Sequence, residues 1–500
     1  MSRLTYKRLC SQVIYSYRLF IRNCTTLCTT ERRRKTIYAL SSGHGKCGVA
    51  VIRISGINAI DAVDKMTTIT KIEPRKAILR KILDPQTKEI IDKGLCLWFP
   101  GPKSFTGEDC VEFHVHGGPA ILSTLMSALS KLNFYPALPG EFTRRAFYNN
   151  KLDLVEIEGL ADLIHAETEQ QRKQALLQAS GYLSKLYNNW RRKLIDIVAS
   201  LEAYIDFHED DNIEDDVLEN CNCSVRNLIQ EIEHHLSDNR KGEILRSGVR
   251  TVIIGEPNVG KSTILNYLVQ RNAAIVSPTA GTTRDIIELS INISGYPVIL
   301  ADTAGFTKDP KDSIETEGIL RAKEYAKNAD LIILVIDACK YINSGMSYLD
   351  YMKDYINRMD LNDLLASNQN KRYFVVANKI DLLSEKGKLD IKMENIVMTS
   401  CITEEGLANI TRSMANYCQE LCGNIISENP VISQNRYRTH LSNCLQNLQD
   451  YIEIISMENY DTVIAGEEIR MGIRELGKIT GHVHNDEILD SIFKNFCIGK

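Results

Sequence analysis

The segment Gly255-Glu-Pro-Asn-Val-Gly-Lys-Ser262 decides the fold of the central part of this chain. It follows a compact apolar run at 251–254, which predicts a β-strand, and it opens a predicted helix. Glycines allow backbone N–H groups to curl around a phosphate, and a helix N-terminus favours negative charge. Lys261 is expected to reach the β- and γ-phosphates of a nucleotide, and Ser262 to bind Mg²⁺. The segment therefore predicts a phosphate-binding loop.

Two segments farther along the chain supply more of a nucleotide switch. Residues 281–285 read Gly-Thr-Thr-Arg-Asp, and the hydroxyl of Thr283 can make a second Mg²⁺ contact when a γ-phosphate is present. Residues 302–305 read Asp-Thr-Ala-Gly. Asp302 is expected to hold the Mg²⁺ shell, and Gly305 to meet the γ-phosphate. Their order along the chain predicts a nucleotide switch domain.

The identity of the base is predicted from residues 378–381, Asn-Lys-Ile-Asp, which follow another predicted strand. The carboxylate of Asp381 can accept two hydrogen bonds from the N1–H and N2–H₂ edge of guanine, a pattern that adenine does not offer. Leaving such a buried acid unpaired is costly, so the predicted base is guanine. Ser400 lies where the last base-contacting loop belongs. The residues expected to bind the nucleotide are Asn258, Val259, Gly260, Lys261, Ser262, Thr263, Asp302, Thr303, Ala304, Gly305, Asn378, Lys379, Asp381 and Ser400.

The residue after Gly305 is Phe306. Ras-type switches carry a glutamine at that place, and the glutamine positions the attacking water. Phenylalanine cannot orient a water molecule, so another group must do so. No arginine finger is evident from the spacing alone.

Composition predicts a soluble globular chain with several domains. Of its 500 residues, 44% are hydrophobic and 25% are charged, which is ordinary for such proteins. Lys and Arg number 60 against 64 Asp and Glu, so net charge neither requires nor excludes a nucleic-acid partner. No run of about 18 apolar residues is present, which predicts no membrane insertion. The 14 cysteines lack the spacing of a zinc knuckle and are expected to be buried or free thiols.

The first 35 residues differ from the rest because they are basic, rich in hydroxyl groups and almost free of acids. Nine Lys and Arg side chains face the single acid Glu31. This pattern predicts a mitochondrial transit peptide, covering residues 1–35 and directing the protein to the matrix. A disordered basic tail that binds nucleic acid is the alternative.

The rest of the chain is predicted to be multidomain, α/β and α. Residues 36–152 mix short strands with helices and predict an α+β domain. Residues 247–424 alternate strands and helices and predict a Ras-like P-loop α/β domain with a mostly parallel sheet. The helical segments 153–246 and 425–500 each carry an apolar stripe that neither can bury alone, so the α/β domain is predicted to be inserted into one helical domain. The stripe expected in the second segment consists of Leu441, Leu445, Leu448, Ile452 and Ile455.

Motifs outside the phosphate loop allow a more specific interpretation. They are Val-Ile-Arg-Ile-Ser-Gly at 51–56, Ser-Phe-Thr-Gly-Glu-Asp at 104–109 with His-Gly-Gly at 116–118, Pro-Gly-Glu-Phe-Thr at 139–143 with Lys-Leu-Asp-Leu at 151–154, Gly-Thr-Thr-Arg-Asp at 281–285, and the terminal Cys-Ile-Gly-Lys at 497–500. In this order they resemble the MnmE (TrmE) family of tRNA-modification GTPases in its mitochondrial form. The resemblance runs from about residue 36 to residue 500.

The resemblance implies a function and a second binding site. With an FAD-dependent partner of the MnmG type, the family modifies position 5 of the wobble uridine of certain tRNAs. A tetrahydrofolate derivative, 5-formyl- or 5,10-methylene-, supplies the one-carbon unit and binds the N-terminal domain, which also forms the homodimer. The residues that match the family's folate contacts are Arg53, Glu112, Lys151 and Lys500. Without the resemblance, Arg53 and Lys151 would be interpreted as solvated surface charges.

The resemblance also implies activation by K⁺. The matching ligands are Asn258 in the phosphate loop and Ser277, Thr279 and Thr282 in a later loop. A monovalent cation beside the bridge between the β- and γ-phosphates can neutralise transition-state charge in place of an arginine finger. Hydrolysis then requires two GTPase domains to meet face to face.

The family's water-orienting acid matches Glu315, and Glu317 is a weaker candidate. His114 and His116 alternate along a predicted strand, but no third ligand accompanies them, so structural or folate-pocket roles are favoured over a metal site. Cys497 is expected to pack beside the folate pocket.

Two other classes of protein share parts of this pattern. An assembly GTPase that binds ribosomal RNA would share the nucleotide site, but it usually appends an RNA-binding module, and no Gly-x-x-Gly loop follows the nucleotide motifs here. A stand-alone folate enzyme with a vestigial GTPase would have lost nucleotide residues that this chain retains, such as Lys261 and Asp381.

Overall fold

The computed structural model describes residues 35–500 apart from 70, 208–215, 272–273, 276–287, 302–324, 360, 363–371, 384–395, 424–430, 459, 484–485 and 495. The chain divides into two compact units. Unit 1 comprises Met1–Ile157 and His484–Lys500, and unit 2 comprises Glu158–Val483. Both names refer below to the described residues of these ranges.

The strands and helices are as follows. The strands are β1 (Ile37–Leu40), β2 (Cys47–Ser55), β3 (Ile78–Leu83), β4 (Ile90–Phe99), β5 (Cys110–Gly117), β6 (Tyr135–Pro136), β7 (Val249–Gly255), β8 (Ala274–Ile275), β9 (Glu288–Ile293), β10 (Tyr296–Ala301), β11 (Leu331–Asp337), β12 (Arg372–Asn378) and β13 (Ile396–Met398). The helices are α1 (Asp61–Met66), α2 (Pro119–Ser130), α3 (Glu141–Tyr148), α4 (Leu154–His165), α5 (Glu169–Ala179), α6 (Tyr182–Phe207), α7 (Asp216–Leu236), α8 (Lys241–Ser247), α9 (Lys261–Arg271), α10 (Ala338–Ser344), α11 (Tyr348–Arg358), α12 (Leu407–Cys422), α13 (Asn435–Ile455), α14 (Thr462–Thr480) and α15 (Asp486–Lys494).

Unit 1 is built on a six-stranded sheet of order β3-β4-β5-β2-β1-β6. Neighbouring strands are antiparallel except β1 and β6, which are parallel. Ile52, Phe113 and Leu125 are fully buried in a core that also includes residues of α1 and α2. Phe142 of α3 belongs to a separate, smaller cluster with Ile37. The unit therefore has the α+β character that the sequence predicts.

Unit 2 contains a seven-stranded sheet of order β13-β12-β11-β7-β10-β9-β8. Strands β7, β10, β11, β12 and β13 are parallel, whereas β9 is antiparallel to both of its neighbours. All seven residues of β11 are buried, which explains why the first six are apolar, since a parallel sheet is covered on both faces. The strands predicted at 251–254, 297–301, 331–336 and 373–377 are all present. Their carboxyl ends meet at one edge of the sheet, where such folds bind ligands.

In unit 2, helices that precede the sheet in the chain pack against helices that follow it. Helices α6 and α7 precede the sheet in the chain, and α13 and α14 follow it. Within this group α13 contacts α14 and α7, and α6 contacts α14 and α7. Each amphipathic stripe is therefore buried against helices that are distant in sequence.

The buried stripe of α13 differs from the predicted one. Leu441 and Leu448 are buried as predicted, but Leu445, Ile452 and Ile455 are only partly buried. The buried row is completed by Tyr437, Cys444 and Tyr451. The prediction failed because it counted only aliphatic residues. A tyrosine can also bury its ring if its hydroxyl finds a partner, as Tyr451 does with Asn222 Oδ1 at 2.6 Å.

The last residues of the chain belong to the compact unit 1, whereas the sequence analysis placed 425–500 together in the second helical segment. Arg144 of α3 pairs with Asp490 of α15 at 2.5 Å, and Ser41 Oγ donates to the carbonyl of Gly499 at 2.8 Å. Gly140 has a φ of 67°, and a Cβ there would lie 2.6 Å from the carbonyl oxygen of Phe493. Periodicity in the sequence cannot reveal contacts over such separations.

The described part of the chain shows three further features. None of its helices combines the length and the apolar character that crossing a bilayer would need. No group of three or more His, Cys, Asp and Glu side chains in this part is arranged to hold a metal ion. The described cysteines are free thiols, among them the exposed Cys497, which therefore is not packed in an interior.

A partly buried histidine in unit 2 is expected to make the stability of this unit sensitive to acid. Nε2 of His235 lies 3.1 Å from the hydroxyl of Tyr187, and its ring meets that of Trp190 edge to face. Burial lowers the pKa of His235 to about 4, although the charge of Asp238 acts in the opposite direction. The neutral imidazole is therefore the folded form over most of the physiological range.

We expect His235→Gln to reduce the loss of stability of unit 2 at low pH. An unfolded imidazole takes up a proton below about pH 6.5, whereas folded His235 does so only below about 4, so stability falls as the pH drops through this window. At about pH 5 the loss should amount to about 2 kcal/mol, and the variant should lack it. Urea unfolding in a Trp98→Phe background, followed by Trp190 fluorescence, measures this. Exposed His165→Gln is the control; equal losses in both variants would contradict the interpretation.

Candidate functional site

The phosphate loop lies at the carboxyl end of β7, as predicted, and leads directly into α9. Asn258 and Gly260 have positive φ angles of 62° and 102°. A Cβ on Gly260 would lie 2.2 Å from Nδ2 of Asn378, so only glycine fits. Residues in such left-handed conformations help to turn successive N–H groups into a concave surface that suits an anion.

The side chain of Lys261 is folded into this loop. Its Nζ donates to the carbonyl oxygens of Gly255 and Glu256, both at 2.8 Å. Burial lowers the pKa of Lys261 from its usual range, and the neighbouring Glu256 carboxylate raises it in part. A phosphate oxygen would be a stronger acceptor for this ammonium than two neutral carbonyls.

An acid inside the phosphate loop is compensated by two cations from helices outside it. The carboxylate of Glu256 is 14% exposed, and it pairs with Lys340 of α10 at 2.7 Å and Arg358 of α11 at 2.5 Å. The backbone N–H of Glu256 donates to the hydroxyl of Tyr355, which in turn donates to the carbonyl of Val335. These contacts fix the beginning of the loop against α11 and β11.

The base-contacting loops are connected to the phosphate loop through Asn378. Its side chain is buried, Nδ2 donates to the carbonyl of Val259 at 2.8 Å, and Oδ1 accepts from the N–H of Cys401 at 3.1 Å. A single amide therefore sets the separation between the phosphate loop and the last base loop. The predicted residues Val259, Gly260 and Asn378 are brought together.

The carboxylate expected to read guanine is held in place by a hydroxyl. Ser400 Oγ donates to Asp381 Oδ1 at 2.6 Å and accepts from the N–H groups of Ile402 and Thr403 at 3.3 and 3.2 Å. Ser400 is fully buried, whereas Asp381 is partly exposed. The described residues leave Oδ2 of Asp381 without a hydrogen bond, so that this oxygen can accept one from a base.

Lys379, the remaining predicted residue of this loop, has a φ of 69° and pairs with Asp337 at 2.8 Å. Burial opposes ionisation of Asp337, but the hydrogen bond from Lys379 and two backbone N–H groups hold its pKa below the usual range. Asp337 also caps α10. The ion pair thus joins the end of β11 to the base loop beside β12.

The other predicted nucleotide residues fall into two groups. Asn258, Ser262 and Thr263 are exposed around the phosphate loop, where a ligand from solvent can reach them. The rest lie outside the described residues: Ser277, Thr279, Thr282, Thr283, Asp302, Thr303, Ala304, Gly305 and Glu315.

A second polar cluster lies in unit 1 and contains three of the four predicted folate residues. Arg53 of β2 and Glu112 of β5 are register partners, and Arg53 Nε donates to Glu112 Oε1 at 3.0 Å. Burial and the charge of Arg53 lower the pKa of the terminal Lys500 amine, and the charge of Glu112 raises it in part. Lys151 lies near Gly107, with its Cγ 3.3 Å from where a Cβ of that glycine would be.

Arg53 is not the solvated charge that its sequence context alone suggests. Its guanidinium carbon lies 5.2 Å from the ring centre of Phe105 and 5.8 Å from that of Phe142. Its buried Nη1 has no hydrogen-bond partner among the described residues. Since a buried unpaired donor is costly, this atom is available to an acceptor on a ligand.

Several residues that shape these sites could not be identified from the sequence. Phe105 and Phe142 lie within longer motifs that do not mark them individually, and Lys340, Tyr355 and Arg358 lie outside the motifs. A signal for the two cations existed, because an acid such as Glu256 inside a phosphate loop requires nearby positive charge. Which residues supply that charge depends on tertiary packing.

A glycine-containing phosphate loop, a helix that begins at its lysine and an aspartate held at the base loop define a P-loop guanine-nucleotide-binding protein. Comparison with known proteins identifies the group. A family model described as the MnmE helical domain matches residues 154–497, and one described as the GTP-binding protein TrmE N-terminus matches residues 36–151. The chain belongs to the MnmE/TrmE family of GTPases.

Individual relatives match along most of their length. The mitochondrial 5-taurinomethyluridine-tRNA synthase subunit GTPB3 of Danio rerio is 47% identical over 474 residues, which cover 93% of each chain. The human protein of the same name is 43% identical over 469 residues with the same coverage. The tRNA modification GTPase MnmE of Rickettsia akari is 44% identical over 468 residues, covering 93% of this chain and 100% of that protein.

We expect Arg358→Ala to weaken binding of GTP more than binding of GDP. The substitution leaves the partly buried Glu256 carboxylate with one cation fewer beside the phosphates, and the repulsion grows with the charge of the nucleotide. A loss of roughly tenfold for GTP is expected, equivalent to about 1.4 kcal/mol. Titration with fluorescent nucleotides measures both affinities.

The control for this prediction is Asp354→Ala, which removes the other ion pair of Arg358, at 2.8 Å, but leaves the loop pair intact. Adding Glu256→Gln to the Arg358→Ala variant should restore GTP affinity because it removes the uncompensated charge. A double variant that binds GTP as weakly as the single one would show that charge is not the cause.

Proposed function

We propose that this GTPase acts with an FAD-dependent partner of the MnmG type to modify C5 of the wobble uridine in mitochondrial tRNAs. The observation that carries the proposal is the match over 93% of the chain to relatives named as tRNA-modification proteins. The nucleotide pocket supports it because Lys261, Asn378 and Asp381 are held at its phosphate and base loops by defined hydrogen bonds. The names of the vertebrate relatives favour a taurine-derived substituent.

Divalent and monovalent cations complete the proposed nucleotide site. Ser262 and Thr283 would bind Mg²⁺, and Asn258, Ser277, Thr279 and Thr282 would bind K⁺. The exposed position of Ser262 at the start of α9 and of Asn258 at the turn of the loop supports these roles. When bound, the cations neutralise charge on the phosphates.

The proposed catalytic residue is Glu315, which would orient the attacking water. The residue that follows the Asp-Thr-Ala-Gly motif, Phe306, cannot do so. Two GTPase domains would meet face to face for hydrolysis, within a homodimer formed through unit 1.

Unit 1 would bind a tetrahydrofolate derivative, 5-formyl- or 5,10-methylene-, as donor of the one-carbon unit. Arg53, Glu112, Lys151 and Lys500 are the proposed contacts. The unpaired Nη1 of Arg53 supports this proposal because a glutamate carboxylate or a pterin carbonyl of a folate could accept its hydrogen bond. Phe105 adds an apolar surface against which an aromatic ring can pack.

Action in the mitochondrial matrix is part of the proposal. The basic first 35 residues have the composition of a transit peptide, and the relatives from Danio rerio and human are named as mitochondrial. A fusion of residues 1–40 to a reporter tests this, since a reporter that remains in the cytosol would exclude import by this segment.

We expect Glu315→Ala to retain GTP binding and to lower the hydrolysis rate by about two orders of magnitude or more, because a positioned acid or base contributes about that factor. Phosphate release with K⁺ as the salt measures the rate, and Glu317→Ala is the matched control. Undiminished turnover of Glu315→Ala would exclude Glu315.

Replacing K⁺ by Na⁺ should depress the wild-type rate strongly. Equal rates in both salts would exclude the cation mechanism.

The function itself is tested by nucleoside mass spectrometry of mitochondrial tRNA after loss of the protein. We expect the 5-taurinomethyl group to disappear from the wobble uridine, wild-type protein to restore it, and Lys261→Ala to fail because the variant cannot hold the phosphates. Unchanged modification together with defective mitochondrial ribosomes would instead support the assembly-GTPase alternative.

A further inference from the structure

A basic cleft of about 400 Å³ lies in unit 2, at the edge of the sheet opposite to the phosphate loop. It is bordered by the first turns of α8, by the amino-terminal ends of β7 and β12, by the residues before β11, and by the end of α12. The cationic side chains that line it are Arg240, Lys241, Arg250, Lys327 and Arg372. We refer to this feature as the basic cleft.

The charges in the basic cleft are not balanced. Arg240 pairs with Glu243 at 2.6 Å, and Arg372 lies 3.6 Å from Glu420. No ion pair among the described residues involves Lys241, Arg250 or Lys327. Arg250 and Lys327 are exposed. These three will be called the unpaired cations.

The remaining acid that lines the basic cleft is Asp330. Its Oδ2 accepts from the N–H of Arg250 at 2.9 Å. The backbone of the same residue donates to the carbonyl of Arg250 at 2.8 Å and accepts from the N–H of Arg372 at 3.2 Å. Arg250, Asp330 and Arg372 thus lie at the beginnings of three adjacent strands. Because neighbouring strands are about 4.8 Å apart, the Cα atoms of the two arginines are roughly 10 Å apart.

Five cations against three acids leave an excess of positive charge in the cleft, which is unfavourable for folding alone and indicates an anionic ligand. Arginine and lysine are the side chains that bind phosphate groups, by forked hydrogen bonds and as point charges respectively. Cations at the ends of two strands, with their Cα atoms roughly 10 Å apart, suit a repeating anion better than a single small one. The sugar-phosphate backbone of RNA has this character.

We propose that the basic cleft binds the phosphate backbone of the tRNA on which this GTPase acts. The inference rests on the proposed function, since that function supplies the RNA. Contacts to phosphate carry no base information, so binding here is independent of sequence and strongly dependent on salt. Helix α8, which carries Lys241, runs directly into β7 and thus connects the helices of unit 2 to the sheet. RNA in the cleft therefore lies against the junction between the helical bundle and the nucleotide-binding sheet.

The test uses the full-length triple variant Lys241→Ala/Arg250→Ala/Lys327→Ala. Its matched control, Lys185→Ala/Arg226→Ala/Lys353→Ala, likewise removes two lysines and one arginine, all three exposed and elsewhere in unit 2. Filter binding of unmodified mitochondrial tRNA transcript is measured from about 50 to 200 mM KCl, and basal GTP hydrolysis reports on folding. We expect the cleft variant to bind tRNA roughly 30-fold more weakly at the low-salt end, with a slope of log K against log salt that is smaller by about two. Hydrolysis should remain at the wild-type rate.

The outcomes separate the inference from the function on which it rests. Wild-type protein that does not bind tRNA, alone or with its FAD-dependent partner, would contradict the proposed function. Wild-type binding with unchanged affinity and slope in the cleft variant would overturn the inference alone. Retained tRNA binding with loss of the partner would also overturn it, because the cleft would then be a protein-binding surface.

Discussion

The nucleotide site depends on one buried amide. Asn378 donates to the carbonyl of Val259 in the phosphate loop and accepts from the N–H of Cys401 in the last base loop. These two loops belong to different strands, and no other described side chain joins both in this way. The absent side chain of Gly260 leaves the space that the amide occupies. The spacing between phosphate cradle and base pocket is thereby fixed before any nucleotide arrives, which reduces the ordering that binding requires.

Both candidate sites are built from charges held by partners outside the binding motif. In unit 2, the acid Glu256 is held by Lys340 and Arg358, so that the loop keeps its electropositive character. In unit 1, Arg53 is oriented by Glu112 and by the ring of Phe105, which leaves one nitrogen unpaired. In each case, contacts with residues distant in the sequence determine the charge and the hydrogen bonds that the local motif offers to a ligand. This is the positioning that a catalytic or binding site requires.

The sequence predicted those features that arise from local pattern. The parallel strands are continuous apolar runs, and the phosphate loop has a required order of glycine, lysine and serine, so both could be identified without a structure. The buried row of α13 was only half predicted, because Tyr437 and Tyr451 were not counted as core residues. The placement of residues 484–500 in unit 1 could not be predicted, since Ser41 meets Gly499 through a contact between the two ends of the chain. The cations that pair with Glu256 and the aromatic rings beside Arg53 were missed for the same reason.

The central claim is that the described pocket selects guanine through Asp381, whose carboxylate is fixed by Ser400. The most direct test is the affinity of wild-type protein and Asp381→Asn for GTP, ATP and xanthosine triphosphate. The wild type should bind GTP and not ATP. The variant should lose about two orders of magnitude for GTP, as expected for hydrogen bonds to a charged group, and should gain affinity for the xanthine nucleotide, whose O2 can accept from the new amide. Equal binding of GTP and ATP by the wild type, or an unchanged preference in the variant, would contradict the account.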